Sequence, residues 1–153
     1  MKKRILAVLV LLLTVSLCAC GLFEEKLTKS EITENLQAAG YTVRSISEAK
    51  NITAYFQESV LPSDFPRPTS ILIAKHDVQE PMRIFIYEST EDAEAAKDAV
   101  NTLIASTKDA LRQELSAERV DGVLDGYFSH MKTLHNVLYF SKSENAASVI
   151  ENA

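Results

Sequence analysis

The opening twenty residues decide how much of this chain has to fold. Lys2, Lys3 and Arg4 precede an uncharged apolar run from Ile5 to Leu17, and Ala19 supplies a small residue just beyond it. A basic region, an apolar region and a small residue before a cut are the order of a secretory signal peptide. The run holds 13 residues, whereas a membrane-spanning helix needs roughly 20. It reads as a segment to be removed, so the fold must come from the residues beyond Cys20.

Leu17-Cys18-Ala19-Cys20 resembles the lipobox of bacterial lipoproteins. In that family the final cysteine receives a diacylglyceryl group and becomes the mature N-terminus. Cys20 fits this role, with Ala19 before the cut and Leu17 three places back. Cys18 would place bulky Leu17 beside the cut, and it stands where Ser, Ala or Thr is more usual. The alternative is a plain secreted protein with Cys20 as an ordinary residue. The resemblance implies a signal peptide over 1–19, a lipidated N-terminus and short tether over 20–27, and a domain over 28–153. It also implies an extracytoplasmic place at the outer leaflet of the cytoplasmic membrane in a Gram-positive cell. In a two-membrane cell, Leu22 offers no retention aspartate, and an outer-membrane address would be implied. Two acyl chains, at about 0.8 kcal/mol per buried methylene, make such an anchor durable.

The mature chain would hold 134 residues and a single cysteine. With that sulfur acylated no internal disulfide can form, even in an oxidising compartment. Stability then rests on a core, and a chain of this length buries roughly two thirds of its unfolded surface. Removing Lys2, Lys3 and Arg4 leaves 13 basic against 21 acidic side chains, a balance of −8. That balance, with no basic run after residue 4, sets nucleic-acid binding aside.

Thr28-Lys29-Ser30-Glu31 has the spacing of a capping box. Ile32, Leu36 and Ala39 come next at helical spacing, and Gly40 is a natural stop. Tyr41 to Ile46 alternates and predicts a strand. Ser47 to Val60 fits either a short helix, through Ile52, Tyr55, Phe56 and Val60, or an extended segment. Pro62, Pro66 and Pro68 enforce a loop. Ser70–His76 and Met82–Glu88 predict a strand hairpin. Ser89 or Thr90 caps a long helix whose apolar stripe runs Ala93, Ala96, Val100, Leu103, Ile104, Thr107, Leu111 and Leu115. Such a helix would span about 42 Å, so a bend or break near Ser106-Thr107 is expected. Val123–Met131 and Val137–Ser141 predict a second hairpin, and Ser143 opens a closing helix.

These elements define a single α+β domain: two layers, a mainly antiparallel sheet of about five strands, and the long helix packed on one face.

Chemical motifs are sparse. Ser47-Glu48-Ala49-Lys50 and Ser129-His130-Met131-Lys132 both match S-x-x-K, but the companion elements of penicillin-recognising enzymes are missing. There is no G-x-S-x-G elbow and no Gly-rich phosphate loop. His76, His130 and His135, with Asp77 or Asp125, would gather a metal only if both hairpin tips met at one end of the sheet. Asp64, Asp121 and Asp125 could supply paired carboxylates for glycan hydrolysis, but Asp64 lies two residues from Pro62 and Pro66, and Asp121 and Asp125 precede glycines, where aspartate commonly caps turns. Asn51-Ile52-Thr53 is a sequon by pattern alone. No catalytic residue, metal ligand or cofactor is assigned.

Three phrases also resemble the small uncharacterised lipoproteins of Gram-positive bacteria: Leu27–Ile32 with Gly40-Tyr41, Tyr87–Ala93, and Asn136–Phe140. They are strand and cap signatures, so the resemblance implies fold and class and transfers no site. The expected function is a non-enzymatic binding or assembly module of the cell envelope. Its partners would be the membrane, through Cys20, and an envelope protein or small ligand. The alternative is a small envelope hydrolase or metal-binding accessory protein. Along the Met82–Glu88 strand, Met82, Ile84 and Ile86 would meet the long helix. Arg83, Phe85 and Tyr87 would form a binding face on the other side, unless Ile52, Tyr55 and Phe56 cover it and make it core.

Overall fold

The computed structural model describes residues 25–57, 61, 64–76, 81–113, 120, 130–141 and 144–151. The first helix, α1 (Lys29–Ala38), starts where the sequence predicts, with both halves of the Thr28–Glu31 capping box in place. Gly40, at φ +88°, ends it. Gly40 N–H reaches Gln37 O at 3.0 Å and Tyr41 N–H reaches Leu36 O at 2.9 Å, the two bonds of a Schellman stop. Any side chain at Gly40 would be strained there, and its Cβ would also press on His76 at 3.3 Å.

The chain continues as β1 (Thr42–Ile46), α2 (Ala49–Gln57), β2 (Ser70–Lys75), β3 (Met82–Ile86), α3 (Thr90–Leu111), β4 (His130–Leu134), β5 (Val137–Ser141) and α4 (Glu144–Glu151). The five strands form one antiparallel sheet in the order β1-β2-β3-β5-β4. The protein is thus an α+β fold, with the long helix α3 packed on the sheet. The ambiguous Ser47–Val60 stretch is helical over α2.

Both faces of the sheet are covered. Ile32 and Leu36 of α1 and Ala147 and Ile150 of α4 pack on Leu72, Ala74, Met82, Ile84, Ile86, Val137 and Tyr139. On the other face, Ile52 and Phe56 of α2 and Ala93, Ala96 and Val100 of α3 meet Phe65, Ile71, Phe85, Tyr87 and Leu138. α1 and α4, on the face opposite α3, add a layer to the two that patterning indicates. The expected pairing of faces is also reversed: Met82, Ile84 and Ile86 meet α1 and α4, and the α3 stripe meets Phe85 and Tyr87. β3 carries apolar residues on both sides, so alternation could not say which side faces which helix.

α3 runs unbroken through Ser106 and Thr107, so the helix does not break there. No Pro or Gly interrupts it, and Thr102 and Ser106 hydroxyls donate to Asp98 O and Leu103 O within the helix. Leu115 lies outside the described residues. β4 spans His130–Leu134, running past the expected end at Met131, and the Val123–Ser129 part of the expected strand lies outside the described residues. The hairpin closes through two residues, His135 and Asn136, with His135 at φ 50°. Among the described residues no helix is long and apolar enough to cross a membrane; the Ile5–Leu17 run is not among them.

Asn136 fastens the chain's entry into the fold. It is 3 % exposed. Oδ1 accepts from Leu27 N–H at 2.8 Å, while Nδ2 donates to Tyr87 O at 3.0 Å and to Leu27 O at 3.3 Å. Lys26 Nζ also donates to Glu88 O at 2.6 Å. Lys26 and Leu27, at the end of the tether read from sequence, are thus hydrogen-bonded to Glu88 and Asn136.

Candidate functional site

Register explains where the sheet stays open. On the α2/α3 face, Ile46, Ile71, Phe85, Leu138 and Thr133 lie side by side across the five strands. Ile71, Phe85 and Leu138 in the middle of that row are buried. Two residues further along each strand, the same face presents the row Arg44, Ile73, Arg83, Phe140 and Met131. In this second row Arg44 and Arg83 are exposed and the three apolar residues are half-buried. Lys75, two residues beyond Ile73 on the same side of β2, is exposed as well. The helices thus cover one row and leave the next partly open.

That open row joins a cleft of ≈ 700 Å³ between β1 and α2. Ile46, Ile73, Ala54 and Tyr55 give it an apolar lining, and Arg44, Ser45, Ser47, Glu48 and Asn51 give it polar groups. Tyr55 is held by an edge-on contact with Phe85, ring centroids 6.2 Å apart. The lining is thus mixed, five polar or charged residues with four apolar ones, and offers both hydrogen bonds and apolar contact.

The cleft holds no activated nucleophile among the described residues. Ser47 Oγ, the serine of the first S-x-x-K match, meets Ser45 Oγ at 3.0 Å and accepts from Ser70 Oγ at 3.2 Å. Lys29 Nζ donates to the same oxygen at 3.2 Å. Lys50 turns instead to Glu48, at 3.1 Å. A serine nucleophile needs a base that takes its proton; here an ammonium and hydroxyls surround the oxygen. In the second match Ser129 lies outside the described residues, and Lys132 pairs with Glu151 at 2.7 Å.

The histidines are not brought together. His76 comes just after β2 and His130 opens β4, with β3 and β5 between those strands, while His135 sits in the turn at the opposite end. No cluster of three metal-binding side chains occurs among the described residues. Asp64 is exposed; Asp77, Asp121 and Asp125 lie outside the described residues, as does Cys20. Asn51 is exposed and donates to Glu48 Oε2 at 3.3 Å.

The expected binding face of Arg83, Phe85 and Tyr87 is corrected. Phe85 and Tyr87 are each 2 % exposed, because Phe56, Tyr55 and α3 pack over them. The covering by Ile52, Tyr55 and Phe56 that the sequence left open is the arrangement found. Only Arg83 of the three is exposed, and it belongs with Arg44 and Lys75. Sequence reading missed those two, because they become neighbours only once the register of three strands is set.

Two tyrosines carry perturbed hydroxyls. Burial, and then the nearby Asp92 charge, raise the Tyr87 pKa above the tyrosine range. Tyr139 is raised by burial first and then by Glu151, whose carboxylate accepts from its hydroxyl at 2.8 Å. Both groups stay neutral at physiological pH and serve the core.

No protein-family model matches the chain, and no curated protein or solved structure matches it.

Proposed function

We propose that this chain is a lipid-anchored extracytoplasmic protein of the bacterial cell envelope, acting as a non-enzymatic binding module. The observation that carries the anchoring is the lipobox-like Leu17–Cys20 behind an apolar run too short to remain as a span. Binding is favoured over catalysis by the β1–α2 cleft, whose lining offers hydrogen bonds and apolar surface around a serine without a base. Metabolic labelling with a radioactive fatty acid tests the anchor. Label should enter the wild type and Cys18→Ala and be absent from Cys20→Ala, which should also keep its unprocessed length. Full labelling of Cys20→Ala would overturn the anchoring.

A further inference from the structure

We infer that the open row of the sheet, Arg44–Ile73–Arg83 with Lys75 beside it, binds an acidic peptide segment containing an apolar side chain between its carboxylates. This rests on the reading of the chain as a binding module and not on its anchoring. Three neighbouring strands each contribute one exposed cation to one face, in a chain of net charge −5. The side chains of the three make no hydrogen bond or ion pair with another described residue, their backbones being paired within the sheet. Arg44 and Arg83 both flank Ile73 in register, which sets them about 10 Å apart at the usual strand spacing. Between them lies half-buried Ile73, and the apolar surface continues to Tyr55 at the cleft wall and to Phe140 on the far side of Arg83.

Arginine binds carboxylates through a planar, two-pronged set of N–H donors, which gives direction as well as attraction. A lone anion would satisfy one guanidinium and leave Ile73 wet. A peptide with acidic residues on either side of an aliphatic one satisfies both arginines and covers Ile73. Nucleic acid fits less well, since three cations on an acidic protein neutralise few phosphates.

The test uses the full chain in detergent and a fluorescein-labelled peptide with two glutamates on each side of a central leucine. Saturable binding that weakens with salt is expected. Arg44→Glu and Arg83→Glu should each weaken it by roughly tenfold or more, the loss of one charge-assisted contact. Both sites are exposed, so thermal unfolding should stay near wild type, and a circular dichroism melt verifies this. Replacing the leucine by serine should weaken binding, and a peptide with lysines for glutamates should not bind. Absence of binding by the acidic peptide would overturn the inference. So would indifference to both arginine substitutions, or equal binding by the serine peptide and by inorganic tripolyphosphate, which would mark a general anion patch. A protein that loses acylation yet binds the peptide would overturn the anchoring alone. An acylated protein that ignores the peptide would overturn this inference alone.

Discussion

At the scale of single residues, Tyr87 and Asn136 illustrate opposite ways of burying a polar group. Tyr87 fills the core beneath α3, yet its hydroxyl has no hydrogen-bond partner among the described residues. A buried, unpaired hydroxyl costs about 1–3 kcal/mol, while its ring contributes packing. Tyr87→Phe should therefore raise stability by about 1 kcal/mol, and Tyr87→Ala should lower it by roughly 3 kcal/mol or more. Urea unfolding of both variants separates the two effects; a destabilised phenylalanine variant would show that the hydroxyl is satisfied after all. Asn136, by contrast, meets three backbone partners. Asn136→Ala strands the Leu27 amide and two carbonyls and should cost about 2 kcal/mol. Its specific signature is faster hydrogen exchange at the Leu27 amide, ahead of any global loss of structure.

Among the elements, the ends of α1 are governed locally and respond to pH. The Thr28 hydroxyl first, and the Thr28 backbone N–H second, hold the Glu31 carboxyl below its ordinary value of 4.5. A depressed folded-state pKa means stability that is complete above 4.5 and lost as pH falls through the lower folded value. Glu31→Gln keeps the box geometry without the charge. Its melting temperature should lie below wild type at pH 7 and converge with it as pH falls below 4.5 and through the lower folded value; a constant difference would remove Glu31's charge from the account. The same local chemistry made α1 legible in sequence, since Thr28, Glu31 and Gly40 act on backbone within a few residues. Ser89 capping α3 and the β2, β3 and β5 strands were legible for the same reason. α2 was not, because only Ile52 and Phe56 are buried, and it takes Phe65 and Phe85 from distant segments to settle the helix. β4 was displaced because its turn uses His135 at positive φ, where no glycine gave notice. The cation row was invisible, as Arg44, Lys75 and Arg83 stand far apart along the chain until strand pairing joins them.

Across the whole molecule, the clamp on Leu27 fixes which end of the sheet faces the membrane if Cys20 carries the anchor. Asn136 and Tyr87 close the ends of β5 and β3, and β3 is the middle strand of the five. The tether therefore leaves from near the centre of one end of the sheet. From Cys20 to Glu25 the chain reaches at most about 18 Å when fully extended. The strands should then rise away from the bilayer, with the β4–β5 turn and the starts of α1, α2 and α3 beneath. Thr42 and Lys75 stand at the other end, about 15 Å higher along a strand of this length. The acidic side-chain balance keeps the body from lying flat on anionic lipid. Arg44, Lys75 and Arg83 would thus present their face toward the envelope rather than the headgroups. Lipidated protein in nanodiscs doped with a gadolinium-chelating lipid checks this, because paramagnetic broadening falls steeply with distance. The amides of His135, Glu88 and Glu48 should broaden strongly while those of Thr42 and Lys75 stay sharp. Equal broadening at both ends would mean that the domain tumbles freely on its tether, and stronger broadening at Lys75 would invert the orientation and place the cationic row against the membrane.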